Sequence, residues 1–163
     1  MTPQPAWRET ALRAGLWLLL GGWIGAWLLF GFGVTTTAFR VLPSTELAGR
    51  VVGPILSGLN VFGAVAGAAL ALLAVGMGRG RAYWLTPLVL AGLCLYSEFV
   101  ITPGVQAVRD GAFGPDGSLR ATEQFTRLHQ RSFAVFIAVG LGAIVLLVLH
   151  ARKDARGKNP THR

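Results

Sequence analysis

The strongest constraint in this sequence is the absence of charge over four long intervals. No Asp, Glu, Lys or Arg occurs in residues 14–39, 51–78, 82–97 or 132–151. A bilayer core of about 30 Å takes about 20 helical residues to cross. The first two intervals exceed that length and the fourth matches it. The third reaches it only if its helix continues through Glu98 to about Gln106. Buried helices of soluble proteins rarely run this far without a polar face. The pattern predicts an all-α fold, a four-helix transmembrane bundle with both termini on the same side. Its helices are expected over about residues 11–39, 45–76, 82–107 and 119–151. Residues 1–10, with Pro3 and Pro5, read as a short flexible lead-in, and residues 152–163 as a basic tail.

Composition supports the same class, because with 53% apolar and 13% charged residues the chain has little polar surface to offer water. The uncharged first interval is longer than the apolar part of a signal peptide, so a retained helix is expected there. The net charge of +8 would raise nucleic-acid binding in a soluble protein. Here much of the excess sits after the last apolar interval, in Arg152, Lys153, Arg156, Lys158 and Arg163. Such a tail suits an anionic lipid surface, and no nucleic-acid partner is expected. Lys and Arg are also more numerous on the side of the termini and the 76–81 turn than on the other. That bias predicts both termini in the cytoplasm.

Breaks between helices are marked by turn chemistry. Pro43 cannot continue a helix interior, and Ser44 or Thr45 can cap the second helix. Gly76-Met77-Gly78-Arg79-Gly80-Arg81 reads as a tight turn, and the glycines and proline of 109–118 as a loop. Pro54 is expected to bend the second helix. Trp7, Trp17, Trp23 and Trp27 favour the first half of the first helix, where some can sit at headgroup level, and Tyr83 and Trp84 fit an interfacial belt. Gly21 with Gly25, Gly49 with Gly53, and Gly63 with Gly67 repeat the spacing that lets helix backbones approach closely. Ser57 and Asn60 are expected to hydrogen-bond between helices.

No Walker loop, HExxH, dinucleotide fingerprint or GxSxG occurs. No enzymatic activity, catalytic residue, metal or cofactor is therefore expected. Cys94 is the only cysteine and reads as a small packing residue. The polar residues near one end of the helices form the candidate site: Arg40, Arg50, Glu98, Thr102, Arg127, His129 and Arg131. Glu98 is its informative member, because an unpaired carboxylate in the outer hydrocarbon region is costly. It is expected to pair with a cation (Arg131, His129, Arg50 or Arg40) or to protonate. The pair would either pin helix 3 to helix 4 or act in a proton or cation relay. Two ligands such as Glu98 and His129 do not make a metal site.

The same residues carry a family resemblance. Gly31-Phe32-Gly33-Val34-Thr35-Thr36-Thr37-Ala38-Phe39-Arg40-Val41-Leu42-Pro43, then Ala48-Gly49-Arg50-Val51-Val52-Gly53, resemble the start of the DUF4149, or TMEM205-like, family of four-helix membrane proteins. Ile101-Thr102-Pro103 with Arg109-Asp110 resembles the family's third helix end. Arg127-Leu128-His129-Gln130-Arg131-Ser132 resembles its fourth helix start. The resemblance implies a membrane domain of unassigned activity, in a bacterial inner membrane, with a transport or export role as one option. It leaves two functional expectations. One is a non-enzymatic helix-packing subunit or small transport-related domain, with a homo-oligomer or membrane-protein partner. The other is an exporter of small cations or metal complexes with an outer-face polar gate.

Overall fold

The computed structural model describes residues 6–112 and 123–157. The described chain is built from helices. The first span combines α1 (Ala6–Leu28), a π-helical segment π1 (Leu29–Thr35) and α2 (Thr36–Val41). The second span is α3 (Thr45–Gly76). The third combines α4 (Arg81–Tyr96), a π-helical segment π2 (Ser97–Ile101) and α5 (Thr102–Ala112), and the fourth is α6 (Glu123–Gly157). All four spans are long and apolar enough to cross a membrane.

Local chemistry sets these boundaries. Leu42 turns extended after α2, and the Ser44 hydroxyl accepts the Leu47 amide at 3.2 Å to cap α3. In the turn between α3 and α4, Gly78 adopts φ +62°, a conformation that favours glycine. The first helix starts at Ala6, earlier than the expected residue 11, and an Arg13–Glu9 pair one turn apart supports its opening turns. The last helix continues past the expected residue 151 to Gly157, where Asp154 is tied to the α3–α4 turn. The third span runs to Ala112, past the expected residue 107. Residues 1–5 of the expected lead-in, 113–118 of the expected loop with the helix start at 119, and 158–163 of the expected tail lie outside the described residues.

The four spans form a ring in which each packs on two neighbours, α3 on α4 most extensively, then α4 on α6, α3 on α1 and α6 on α1. The core joins Leu16, Leu20 and Trp23 of α1 to Ala66 and Leu70 of α3. Leu90 and Cys94 of α4 complete it with Val139, Ala143 and Leu146 of α6. Leu12 reaches Gly76, and Arg79 bonds to Asp154. The start of the first span, the α3–α4 turn and the end of α6 therefore share one end of the bundle.

Glycine determines how close α3 comes to its neighbours. A Cβ on Gly63 would lie 2.7 Å from Cys94 Sγ and 3.0 Å from Trp23 Nε1. One on Gly67 would lie 2.5 Å from the Pro87 carbonyl oxygen. Trp23 and Trp27 are not among the tryptophans at headgroup level: they are 1% and 9% exposed, inside the bundle. Gly63 makes room for the first indole. Gly140 makes room for the second, which stacks on Phe136 at 5.2 Å and donates to its carbonyl at 2.9 Å. Trp7, 72% exposed, keeps an outward position.

Gly67→Ala is expected to lower stability by about 1–3 kcal/mol, because backbone rather than a flexible side chain must yield. Gly92, with nothing within 4 Å of its Cβ position, is the control: Gly92→Ala is expected to be neutral or slightly stabilising. Thermal unfolding in detergent micelles compares the two.

Candidate functional site

The two π segments have separate local causes. In π1, glycines at 31 and 33 weaken the helix, and the Thr35 hydroxyl donates to the Phe30 carbonyl at 2.9 Å. In π2, the Thr102 amide bonds back to the Ser97 carbonyl, five residues earlier. Pro103 comes directly after. It lacks an amide and its ring would crowd the Phe99 carbonyl in a regular α-helix, which the wider turn relieves. Such segments are rare and occur often at functional sites.

Both π segments flank the same two turns of α3. Ile55, Gly58, Leu59 and Phe62 form an apolar groove with Leu29, Phe30 and Val34 of the first span and Ala26 below them. On another side of α3, Ser57 and Asn60 meet π2. Ser57 Oγ donates to Glu98 Oε1 at 2.5 Å, and Asn60 Nδ2 donates to Ser97 Oγ at 3.1 Å. The spacing explains the match: residues three apart on α3 share a face and meet adjacent positions of π2. Asn60 and Ser97 are 8% and 2% exposed, so each needs the other's hydrogen bond.

Glu98 is only half satisfied. Its Oε2 is buried and has no hydrogen-bond partner. The cation expected beside it is not there: among the described residues the ion pairs are Glu9–Arg13, Glu46–Arg50, Arg79–Asp154 and Glu123–Arg127. Depth accounts for this. Ser57 lies about 5 Å from the midpoint of the 32-residue α3 and about 10 Å along it from Arg50 at 1.5 Å per residue. Glu98 therefore sits well inside the bundle, away from the helix-end cations.

The other members of the predicted cluster remain at that end and do not converge on Glu98. Arg50 bonds Glu46 one turn back at 2.9 Å. Arg127 pairs with Glu123, and exposed His129 stacks on Phe125 with centroids 6.0 Å apart. Arg40 and Arg131 are exposed. Thr102 opens α5, and its amide completes π2. A guanidinium nitrogen of Arg109 lies 3.1 Å from where a Gly53 Cβ would sit. Among the described residues no three His, Cys, Asp or Glu converge as metal ligands.

Residues 18–113 match the family described as a domain of unknown function (DUF4149), more than half of the chain. The chain belongs to the DUF4149 family. No curated protein and no solved structure matches it. In this DUF4149 protein the matched segment contains both π segments and all four residues of the Ser57–Glu98 and Asn60–Ser97 pairs.

A second polar cluster, at the opposite end of the bundle, is not apparent from sequence. Arg79, in the α3–α4 turn, bonds Asp154 Oδ1 and His150 Nδ1, each at 2.5 Å. Arginine can only donate, so Nδ1 accepts and the ring proton resides on Nε2. Tyr83 packs edge-on to His150 at 5.1 Å, with the guanidinium 5.8 Å from its ring centre. His150 is 1% exposed and the Arg79 side chain 6%. The available signal is the four-residue spacing of His150 and Asp154, which places both on one face of α6.

The Arg79 cluster joins α4 and the α3–α4 turn to α6, and it generates a stability prediction. Asp154→Ala leaves a buried guanidinium without its carboxylate, and the expected loss is on the order of 3 kcal/mol. Arg79→Met combined with Asp154→Leu is expected to lose less, since no charge is stranded although His150 Nδ1 loses its donor. Thermal unfolding of the three proteins in the same micelles distinguishes a stranded charge from lost packing.

Proposed function

We propose that this protein is a non-enzymatic membrane subunit that assembles through the outer face of its first span, with a second copy of itself as the partner. The observation that carries this reading is an open glycine stripe. Gly21, Gly22 and Gly25 have nothing within 4 Å of their Cβ positions. They lie on the side of α1 away from Leu16, Leu20, Trp23 and Trp27. Leu18, Leu29 and Phe32, 77%, 66% and 74% exposed, extend the same stripe. A shallow strip of backbone flanked by large side chains suits a second helix, because close van der Waals approach drives association in lipid. Inside the bundle, Gly63 and Gly67 have the same spacing and are filled by neighbours; Gly49 is open, and Gly53 faces Arg109. The non-enzymatic reading draws support from the placement of the reactive groups: Cys94 lies against Gly63 in the core, and His150 is held by Arg79.

In this reading the chain lies in a bacterial cytoplasmic membrane with both ends inside. Arg8, Arg13, Arg79, Arg81, Arg152, Lys153 and Arg156 gather toward the end shared by the first helix start, the α3–α4 turn and the end of α6. Positive residues are retained on the cytoplasmic side. With Cys94 replaced by Ser, a cysteine at position 152 is expected to resist a membrane-impermeant thiol reagent in intact cells and to react after lysis. Labelling in intact cells would reverse the orientation.

Gly21→Leu with Gly25→Leu is expected to weaken self-association at least tenfold, about 1.4 kcal/mol. Particle mass in mild detergent, read across dilution, measures it. A wild-type protein that is monomeric at every concentration, or a variant that associates unchanged, would overturn the assembly. A second reading, export of small cations, is favoured by the unpartnered oxygen of Glu98. The family resemblance leaves a transport or export role as one option. Its test is ion flux into liposomes carrying wild-type protein or Glu98→Gln; equal fluxes would remove it.

A further inference from the structure

We infer that the Glu98 carboxylate, with Ser57, holds one exchangeable small monovalent cation, either a proton or an alkali-metal ion, in the interior of the bundle. Four observations converge on this. Glu98 Oε1 accepts the Ser57 hydroxyl at 2.5 Å, which orients the carboxylate. Its Oε2 is shut off from solvent and accepts nothing. No described Lys, Arg or His lies within ion-pair distance, each described salt bridge involving a different carboxylate. Glu98 sits on π2 and Ser57 near the midpoint of α3, inside the longest uncharged interval in the chain.

An ionised carboxylate in hydrocarbon is expensive without a compensating positive charge. Among the described residues no cation lies within ion-pair distance of Glu98, so the compensating charge comes from a bound ion. Its valence is set by the site. There is one carboxylate, and the polar groups bonded around it are neutral, the Ser57 and Ser97 hydroxyls and the Asn60 amide. The Arg109 guanidinium, against Gly53 one turn along α3 from Ser57, forms no ion pair with it. A divalent ion would leave a buried excess of positive charge, whereas a monovalent one leaves none. The ligands are oxygens, which hard cations accept, and a proton needs only the orphaned oxygen. Glu98 and Ser57 as whole residues are only half-buried, beside Phe99 and Val100 at 72% and 55% exposed. Partial burial keeps the pair inside the bundle without sealing it, so a bound ion can exchange.

The inference deepens the cation-export reading without requiring it. The test is the reaction of the full chain, in micelles, with dicyclohexylcarbodiimide, an apolar reagent that adds to protonated carboxyls, followed by intact and peptide mass. One adduct is expected, on Glu98, and Glu98→Gln is expected to lack it. If the ion is a proton, the rate falls with rising pH, about tenfold per pH unit on the alkaline limb, and is indifferent to added sodium or potassium chloride. If it is an alkali-metal ion, sodium or potassium chloride slows the reaction at fixed pH while choline chloride at equal ionic strength does not. Ser57→Ala retains the carboxylate and removes its partner, so it is expected to shift the half-inhibiting pH or salt concentration. No adduct on Glu98 at any pH from mildly acidic to mildly alkaline would overturn the site. So would a rate that ignores both pH and salt, or a Ser57→Ala profile identical to wild type. Ion-responsive labelling without flux in liposomes would retain the site and remove export alone.

Discussion

Hydrocarbon offers a helix neither hydrogen-bond partners nor a hydrophobic reason to leave it, and this double constraint governs the bundle. Lipid tails are as apolar as leucine, so burying Leu16 or Leu70 against another helix gains little by transfer. Cohesion must come from close contact and from polar groups that meet each other. The α3–α4 contact provides both. Gly63 and Gly67 let Cys94, Ala91 and the Pro87 backbone approach to distances that any side chain would prevent. That approach in turn brings Asn60 within reach of Ser97 and Ser57 within reach of Glu98. The polar pairs are thus a product of the glycine packing as much as a support for it.

The bundle distributes its polar groups unevenly. At one end, Arg79 gathers Asp154, His150 and Tyr83 into a cluster in which both charges have partners. At the other end, Glu46, Arg50, Glu123 and Arg127 form pairs within single helices, worth a few tenths of a kcal/mol each. Between these ends, among the described residues, one buried side-chain polar atom is left unmatched, Glu98 Oε2. Unmatched groups in such surroundings are costly, and a fold that keeps one where an isosteric apolar residue would pack points to use rather than stability. The π segments reinforce that reading. A straight α-helix would carry Glu98 around its axis by a different angle, and Pro103 helps to select the wider turn.

Several features are legible in the chain of residues alone. Charge-free length specifies three of the helices, because the penalty for charge in hydrocarbon acts on every residue independently of its neighbours; the third interval reaches spanning length only by running through Glu98. Pro43, Ser44 and the 76–81 glycines mark boundaries for equally local reasons. The motifs behind the family resemblance, Gly31 to Pro43 and Ile101 to Pro103, overlap π1 and the end of π2. Glu98 stands out as the intramembrane carboxylate, and Ser57 and Asn60 as interhelical hydrogen-bonding residues.

Partnership is decided only in three dimensions. Glu98 is expected from sequence to pair with Arg131, His129, Arg50 or Arg40 or to protonate; helix stagger places it beside Ser57, about 10 Å along α3 from Arg50, and away from those cations. Trp23 and Trp27 look like headgroup anchors in the sequence and become core residues because glycines on other helices leave space for their rings. The identical spacing of Gly21 with Gly25 and of Gly63 with Gly67 conceals opposite positions, one open and one filled. Transfer into lipid is a sum over single residues and can be read along a chain. Which residues touch depends on rotation and stagger between helices, and those quantities exist only once the helices have packed.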